Sequence, residues 1–248
     1  MGQKTNPNLF RLALNQNFLA NWYATKQLYS SYLKEDNLFR QKIFEIVEPF
    51  FTIASLKIFR KKGVNNTFIY FDLTLLYPKE KEFFYKISKH LNNGNNTELS
   101  KKIVSMLALK ESEDFTLKTF VILLIDFLKQ EIVSNFDSTS NVFFFKVNFI
   151  SNPFTNAALT AKYIGEQLTT KTPFRRIVKQ VLENAKYSTI KGMMIELSGR
   201  LNGVEMARTE KKKWGTIPLH TLQASIEYAQ HEINTIYGII GIKIWIHH

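Results

Sequence analysis

The chain has 248 residues, 45% of them hydrophobic, enough to bury a core and to form one large domain or two of ordinary size. Lys and Arg exceed Asp and Glu by 12, which points to a polyanionic partner, nucleic acid or an anionic surface. With no cysteine there can be no disulfide, thiolate zinc site, iron–sulfur cluster or cysteine nucleophile, and the five histidines show no HxxxH or HExxH spacing, so no metal chemistry is expected.

The first eight residues, Met1 to Asn8, carry no apolar run of the kind a secretory signal needs and no Arg- and Ser-rich presequence pattern. Leu38, Phe39, Ile43, Ile46, Val47 and Phe50 then recur at helical spacing, and Pro49 marks the end of that helix. Two strand patterns follow, Ala54–Phe59 and Thr67–Leu76, separated by the turn-rich Lys61-Lys-Gly-Val-Asn-Asn66. Residues 78–140 are rich in Lys, Asn and Ser and mostly helical in pattern, with Leu91-Asn-Asn-Gly-Asn-Asn96 as an exposed loop. The longest apolar run, Phe120–Ile125, stops at Asp126, far short of the ~20 residues of a membrane span. A further strand pattern covers Val142–Ile150.

Asn152-Pro153 breaks the chain, and its character changes there. Two helices are expected at Thr155–Leu168 and Thr172–Tyr187, then strands at Met193–Ser198, Gly203–Lys212, Thr221–Gln230 and Gly238–Ile246. Leu222, Ala224, Ile226 and Tyr228 alternate with polar residues at the two-residue period of a half-buried strand. Grouped helices and strands predict an α+β fold.

Charge is concentrated in one place. Residues 171–213 hold a surplus of seven positive charges, more than half of the total. In the helix opening at Thr172-Pro173, Thr172 is a candidate N-cap and Pro173 suits the first turn. Phe174, Ile177, Val178, Val181, Leu182 and Ala185 form one apolar stripe, and Arg175, Arg176, Lys179 and Lys186 lie on the other side with Glu183. A solvated basic face is the plain interpretation. Two adjacent arginines in a chain with only seven favour phosphate contact, since guanidinium grips phosphate in bidentate fashion. Gly199 and Gly203 flank Arg200 in a hairpin pattern, Arg208 follows, and Lys211-Lys-Lys-Trp214 adds point charges and a ring able to stack.

These segments resemble the small-subunit ribosomal protein three family. The resemblance is carried by Met1-Gly-Gln-Lys-Thr-Asn-Pro7, by Pro173-Phe-Arg-Arg-Ile-Val-Lys179 and by Lys191-Gly-Met-Met-Ile-Glu-Leu-Ser-Gly-Arg-Leu-Asn-Gly-Val-Glu-Met-Ala-Arg-Thr209. Pro218-Leu-His-Thr-Leu222 and Tyr237-Gly-Ile-Ile-Gly-Ile-Lys-Ile-Trp-Ile246 complete it. It covers about the first 50 residues and 145–248, with several motifs in the right order. It implies an N-terminal extension over 1–17, a degenerate type II KH-like domain over 18–152 with an insertion at about 78–140, and a C-terminal α+β domain over 153–248, two helices packed on an antiparallel sheet.

The resemblance also implies a structural constituent of the small-subunit head that binds rRNA, contacts neighbouring head proteins and lines the mRNA entry channel. Arg175, Arg176 and Lys179 match the family's mRNA-facing positions, which help unwind incoming message. Lys4, Arg200, Arg208, Lys211, Lys212 and Lys213 are the expected rRNA-binding set. Translocation drives the unwinding, so no nucleotide site is needed, and no GxxxxGK[ST] occurs. No enzyme activity, cofactor, metal, membrane or small-molecule substrate is expected. The chain departs from the KH pattern after Leu76. There Tyr77-Pro-Lys-Glu-Lys-Glu82 has no glycine where a GxxG loop would clamp phosphates, so this domain is expected to serve protein contacts or rRNA docking instead. The 26 Lys, 20 Asn and 21 Phe are residues of A+T-rich codons, and the family's start coincides with Met1. Together they point to translation inside an organelle, a mitochondrial ribosome ahead of a plastid or bacterial cytoplasm. The competing readings are a free RNA chaperone using the same basic face, and a nuclease built on His220 with Glu205 or Glu210.

Overall fold

The computed structural model describes residues 5–12, 14–16, 18–63, 67–78, 117–135, 141–170 and 172–248. The expected loop at 91–96, most of the expected insertion, and Lys4 lie outside them. The chain divides into two compact units, one formed by residues 19–149 and the other by 1–18 together with 150–248.

In the unit of residues 19–149, helix α2 (Lys26–Val47) buries Phe39, Ile43 and Val47, spaced four residues apart on one stripe. Strands β2 (Ile53–Lys62) and β3 (Thr67–Leu76) pair antiparallel, with Phe59 opposite Tyr70 and Lys57 opposite Asp72. The short strand β1 (Ala20–Asn21) adds to β2 in parallel, and β4 (Asn141–Ile150) closes the order β1-β2-β3-β4. Thr67 bonds to Asn141, Tyr70 stacks on Phe144 and Phe71 on Phe145. The constant offset between these partners makes β3 and β4 parallel, which requires a crossover between them. Helix α3 (Leu117–Asn135) lies on that crossover and buries Val121, Leu124, Leu128 and Ile132 in the same core. These elements are consistent with the KH-like arrangement expected from the sequence.

Inside this unit Arg60 is almost fully buried and binds Asp36 at 2.5 Å and Glu35 at 2.7 Å, while the Trp22 indole donates to Asp36 at 2.7 Å. Tyr32 lies under the same guanidinium at 4.6 Å. Arg40 donates to the carbonyls of Leu56 and Leu19. Two of the chain's few arginines are therefore internal fasteners.

The second unit carries α4 (Ala157–Thr169) and α5 (Phe174–Lys186) on one face of a sheet ordered β6-β5-β8-β7. Its strands are β5 (Gly192–Gly199), β6 (Arg208–Gly215), β7 (Ile226–Thr235) and β8 (Gly238–His247), all antiparallel to their neighbours. Asn156 caps α4 by accepting from the amides of Ala158 and Leu159. Gly165 lets α4 lie close on β7, because a Cβ there would sit 2.3 Å from Ile233 Cδ1. No described helix is long and apolar enough to cross a membrane.

Three local expectations are corrected. The strand expected at Thr221–Gln230 runs instead over Ile226–Thr235. The cause lies at the other end of the chain. The Arg11 side chain, buried next to the short helix α1 (Pro7–Phe10), donates to the carbonyls of Pro218, Leu219, Thr221 and Ala224, and that backbone bends around it instead of pairing. The strand expected at Gly203–Lys212 begins only at Arg208, since Leu201–Gly203 form a tight turn with Asn202 left-handed at φ 59°. Thr172 does not cap α5; its hydroxyl donates to the Gln167 carbonyl at 2.7 Å, and α5 starts without a side-chain cap.

Candidate nucleic-acid interface

Helix α5 is amphipathic as expected. Phe174, Ile177, Val178, Val181 and Ala185 are buried against the sheet, which turns the Arg175, Arg176 and Lys179 side chains to solvent. Arg175 and Lys179 keep 73% and 79% of their side-chain surface exposed. Their placement therefore rests on the apolar stripe, and the cations themselves add nothing to the packing.

Edge strand β6 runs beside this helix, and its alternation sorts the basic residues. Pairing with β5 puts Trp214 opposite Met193, Lys212 opposite Ile195 and Glu210 opposite Leu197. Arg208, Glu210, Lys212 and Trp214 thus share the helix-bearing face, because Met193, Ile195 and Leu197 belong to the core under the helices. Helix and strand enclose a groove of about 510 Å³ lined by Arg175, Lys179, Lys186, Lys212 and Lys213, against two carboxylates, Glu183 and Glu210. Its apolar lining includes Val178, Leu182 and Trp214.

Glu210 joins the two elements. One of its oxygens lies 3.6 Å from Arg175 Nη2 and 3.5 Å from Arg208 Nη2. Lys179 meets Glu183 one turn on, at 3.9 Å. Exposed pairs of this kind contribute at most about 1 kcal/mol, so they orient the cations without neutralising the groove.

The other expected residues fall elsewhere. Lys211 points to the opposite face of the sheet and binds Glu196 at 2.9 Å. Arg200 stands at the β5–β6 connection, donating to the Val204 carbonyl at 3.0 Å, and lines a separate depression of about 310 Å³ with Asn202 and Tyr237. Arg176 is exposed on α5 but is not part of the groove lining. The structure thus brings Arg175, Lys179, Arg208, Lys212 and Lys213 together and separates Arg200 and Lys211 from them. Sequence reasoning missed Glu210 as the bridge, although its two-residue offset from Arg208 and Lys212 was a usable signal.

The nuclease reading finds no support in this geometry. His220 lines a cavity on the other side of the sheet with Lys211, Lys243 and the N-terminal Pro7 and Phe10, whereas Glu210 faces the helices. Among the described residues no cluster of His, Asp or Glu could hold a metal ion.

Residues 164–246 match the family described as Ribosomal protein S3, C-terminal domain. Small ribosomal subunit protein uS3 of Mesoplasma florum is 32% identical over 248 residues, covering all of this chain and 86% of the relative. The uS3c protein of Cyanidium caldarium is 32% identical over 246 residues, 99% of each chain. Synechocystis uS3 is 33% identical over 248 residues, 99% of this chain and 85% of its own. With the likeness running from end to end, and not only through the basic segment, the chain belongs to the small ribosomal subunit protein uS3 family, a family of structural proteins and not of enzymes.

Proposed function

We propose that the protein is a constituent of the small ribosomal subunit head, bound to rRNA and neighbouring proteins, and that its α5–β6 groove faces incoming mRNA. The observation that carries this reading is the groove itself, lined by three cations of α5, whose buried apolar stripe turns them outward, and two of edge strand β6. Arg175, Arg176 and Lys179 would take message phosphates; a guanidinium can hold two phosphate oxygens at once. Cations held on fixed elements resist the re-zipping of a duplex that translocation pulls apart, with no nucleotide hydrolysed by this chain. Lys4, Arg200, Arg208, Lys211, Lys212 and Lys213 are the proposed rRNA contacts; of these, Lys211 and Lys212 stand on opposite faces of the sheet. The A+T-codon bias in Lys, Asn and Phe supports a mitochondrial ribosome as the location.

Replacing Arg175, Arg176 and Lys179 with Ala tests the reading, since none of the three side chains packs in the core. Translation through a stable mRNA hairpin is expected to slow at least several-fold, while an unstructured message is read at the normal rate. Equal slowing on both messages would refute the mRNA-facing role, and a chain sedimenting free of small subunits would refute the assembly.

A further inference from the structure

We propose that the face of the β1-β2-β3-β4 sheet turned away from the described helices is a stacking platform for single-stranded RNA, a binding mode that takes the place of the missing glycine loop. The core side of this sheet is built by Ile58, Ile69, Phe71 and the partly buried Phe143 and Phe145. Because strand side chains alternate, the residues between them stand on the other side. There the register sets Phe59 of β2 opposite Tyr70 of β3, and the Tyr70 ring stacks on Phe144 of β4 at 4.9 Å and 14°. Phe68 joins at 6.3 Å from Phe144. A row of rings therefore crosses three neighbouring strands.

These rings are not held in a core, as Tyr70 is 39% and Phe144 is 43% exposed. Contiguous exposed aromatics on a sheet face are costly to leave wet and mark a binding surface. The charges around the row select the partner. Lys61 stands opposite Phe68 and Lys57 opposite Asp72, and Lys146 follows Phe144 by two residues on the same face. Among the described residues of these strands the carboxylate on this face is Asp72, which is engaged by the Asn148 amide at 2.6 Å. Rings for bases and ammonium groups for phosphates are together what an unpaired RNA strand requires. Among the described strands β4 is the last of its sheet, so no described strand borders the outer side of the Phe144 ring, and a base can extend the Tyr70–Phe144 stack there. The sequence after Leu76 offers no GxxG clamp for phosphates, and this face reads bases instead of clamping backbone. The inference does not depend on the α5–β6 groove.

The test uses the full chain and a labelled oligouridylate of roughly 10 nucleotides, within the span that single-strand modules cover. Affinity is read by fluorescence anisotropy, with an RNA duplex of the same length as control. The double variant Tyr70→Leu with Phe144→Leu keeps apolar volume but removes the π faces. It is expected to bind the oligouridylate at least about fivefold more weakly, since one stacked base contributes ~1–3 kcal/mol, and to bind the duplex as the wild type does. Lys57→Gln with Lys146→Gln should lower the slope of log affinity against log salt by about 1.4 for the single strand. The same fivefold ratio should persist when Arg175, Arg176 and Lys179 are all Ala, which separates this site from the groove. Unchanged oligouridylate affinity in the Leu variant overturns the proposal. So does a variant subunit that loses a neighbouring protein while RNA affinity stays put, for then the face is a protein interface. If the Leu variant does not fold, the lysine variant decides, and an unchanged salt slope overturns the platform.

Discussion

Replacing the buried Arg11 with Met should loosen the unit formed by residues 1–18 and 150–248. Arg11 is fully buried, and its partners are five backbone carbonyls. Three contacts are short, Ala224 at 2.8 Å, Thr221 at 2.8 Å and Leu219 at 2.9 Å; Pro7 and Pro218 follow at 3.2 and 3.3 Å. Desolvation by burial lowers the pKa of this guanidinium, and hydrogen bonds from its charged form to the carbonyls work in the opposite direction. Bonds from a charged donor contribute ~1.5–3 kcal/mol each, and partly exposed carbonyls recover some of this from water. Counting only the three short ones at the low end, and crediting that recovery, leaves a loss of about 3 kcal/mol. Met keeps the apolar stem, so the loss isolates the donors. Lys, with three donors on one nitrogen, should lose about half as much. Hydrogen exchange of the β7 and β8 amides reads this unit alone, and about 3 kcal/mol corresponds to roughly a hundredfold faster exchange through global opening. Acceleration below about fivefold would refute the idea that Arg11 organises residues 218–224.

Two further changes test the same sheet. Tyr228 has its pKa raised above the ordinary 10.0, first by burial and then by the charge of Glu196. The neutral phenol is thus favoured in the fold. Its contribution is intact below the pKa of the unfolded phenol and is lost as pH rises through the folded value. A spectrophotometric titration of wild type minus Tyr228→Phe should show one phenol ionising above 10.0, and a midpoint at or below that value would contradict the assignment. Gly215 ends β6 at φ +70°, and a Cβ there would lie 2.2 Å from the Lys191 carbonyl oxygen. Gly215→Ala should therefore cost at least about 1–2 kcal/mol and lower the thermal midpoint by about 4 °C or more, while an unchanged midpoint would show that the turn can relax.

Legibility in the sequence followed locality. The strand over Thr67–Leu76 was read with the bounds it has, and α5 and β8 were read within two residues, because each buries one face at a clean period. β7 was misplaced because the alternation from Leu222 through Tyr228 runs unbroken across a segment whose carbonyls are taken by Arg11, 213 positions away at Ala224. No periodicity carries such a contact. The arginines were similarly ambiguous: Arg11, Arg40 and Arg60 turn inward to carbonyls and carboxylates, while Arg175, Arg176, Arg200 and Arg208 stay at the surface. Burial, not residue type, separates the two groups.

The α+β class, the concentration of charge in residues 171–213 and the motifs that carry family membership are all legible in residue order, as periods, counts and short strings. Folding alone settles which cations share a groove, why Lys211 and Lys212 serve opposite faces, that Asn8, Arg11, Asn15 and Gln16 bond to residues within 218–228, and that Phe59, Tyr70 and Phe144 form one row. Each depends on sheet order and register, where a shift of one residue moves a side chain to the other face.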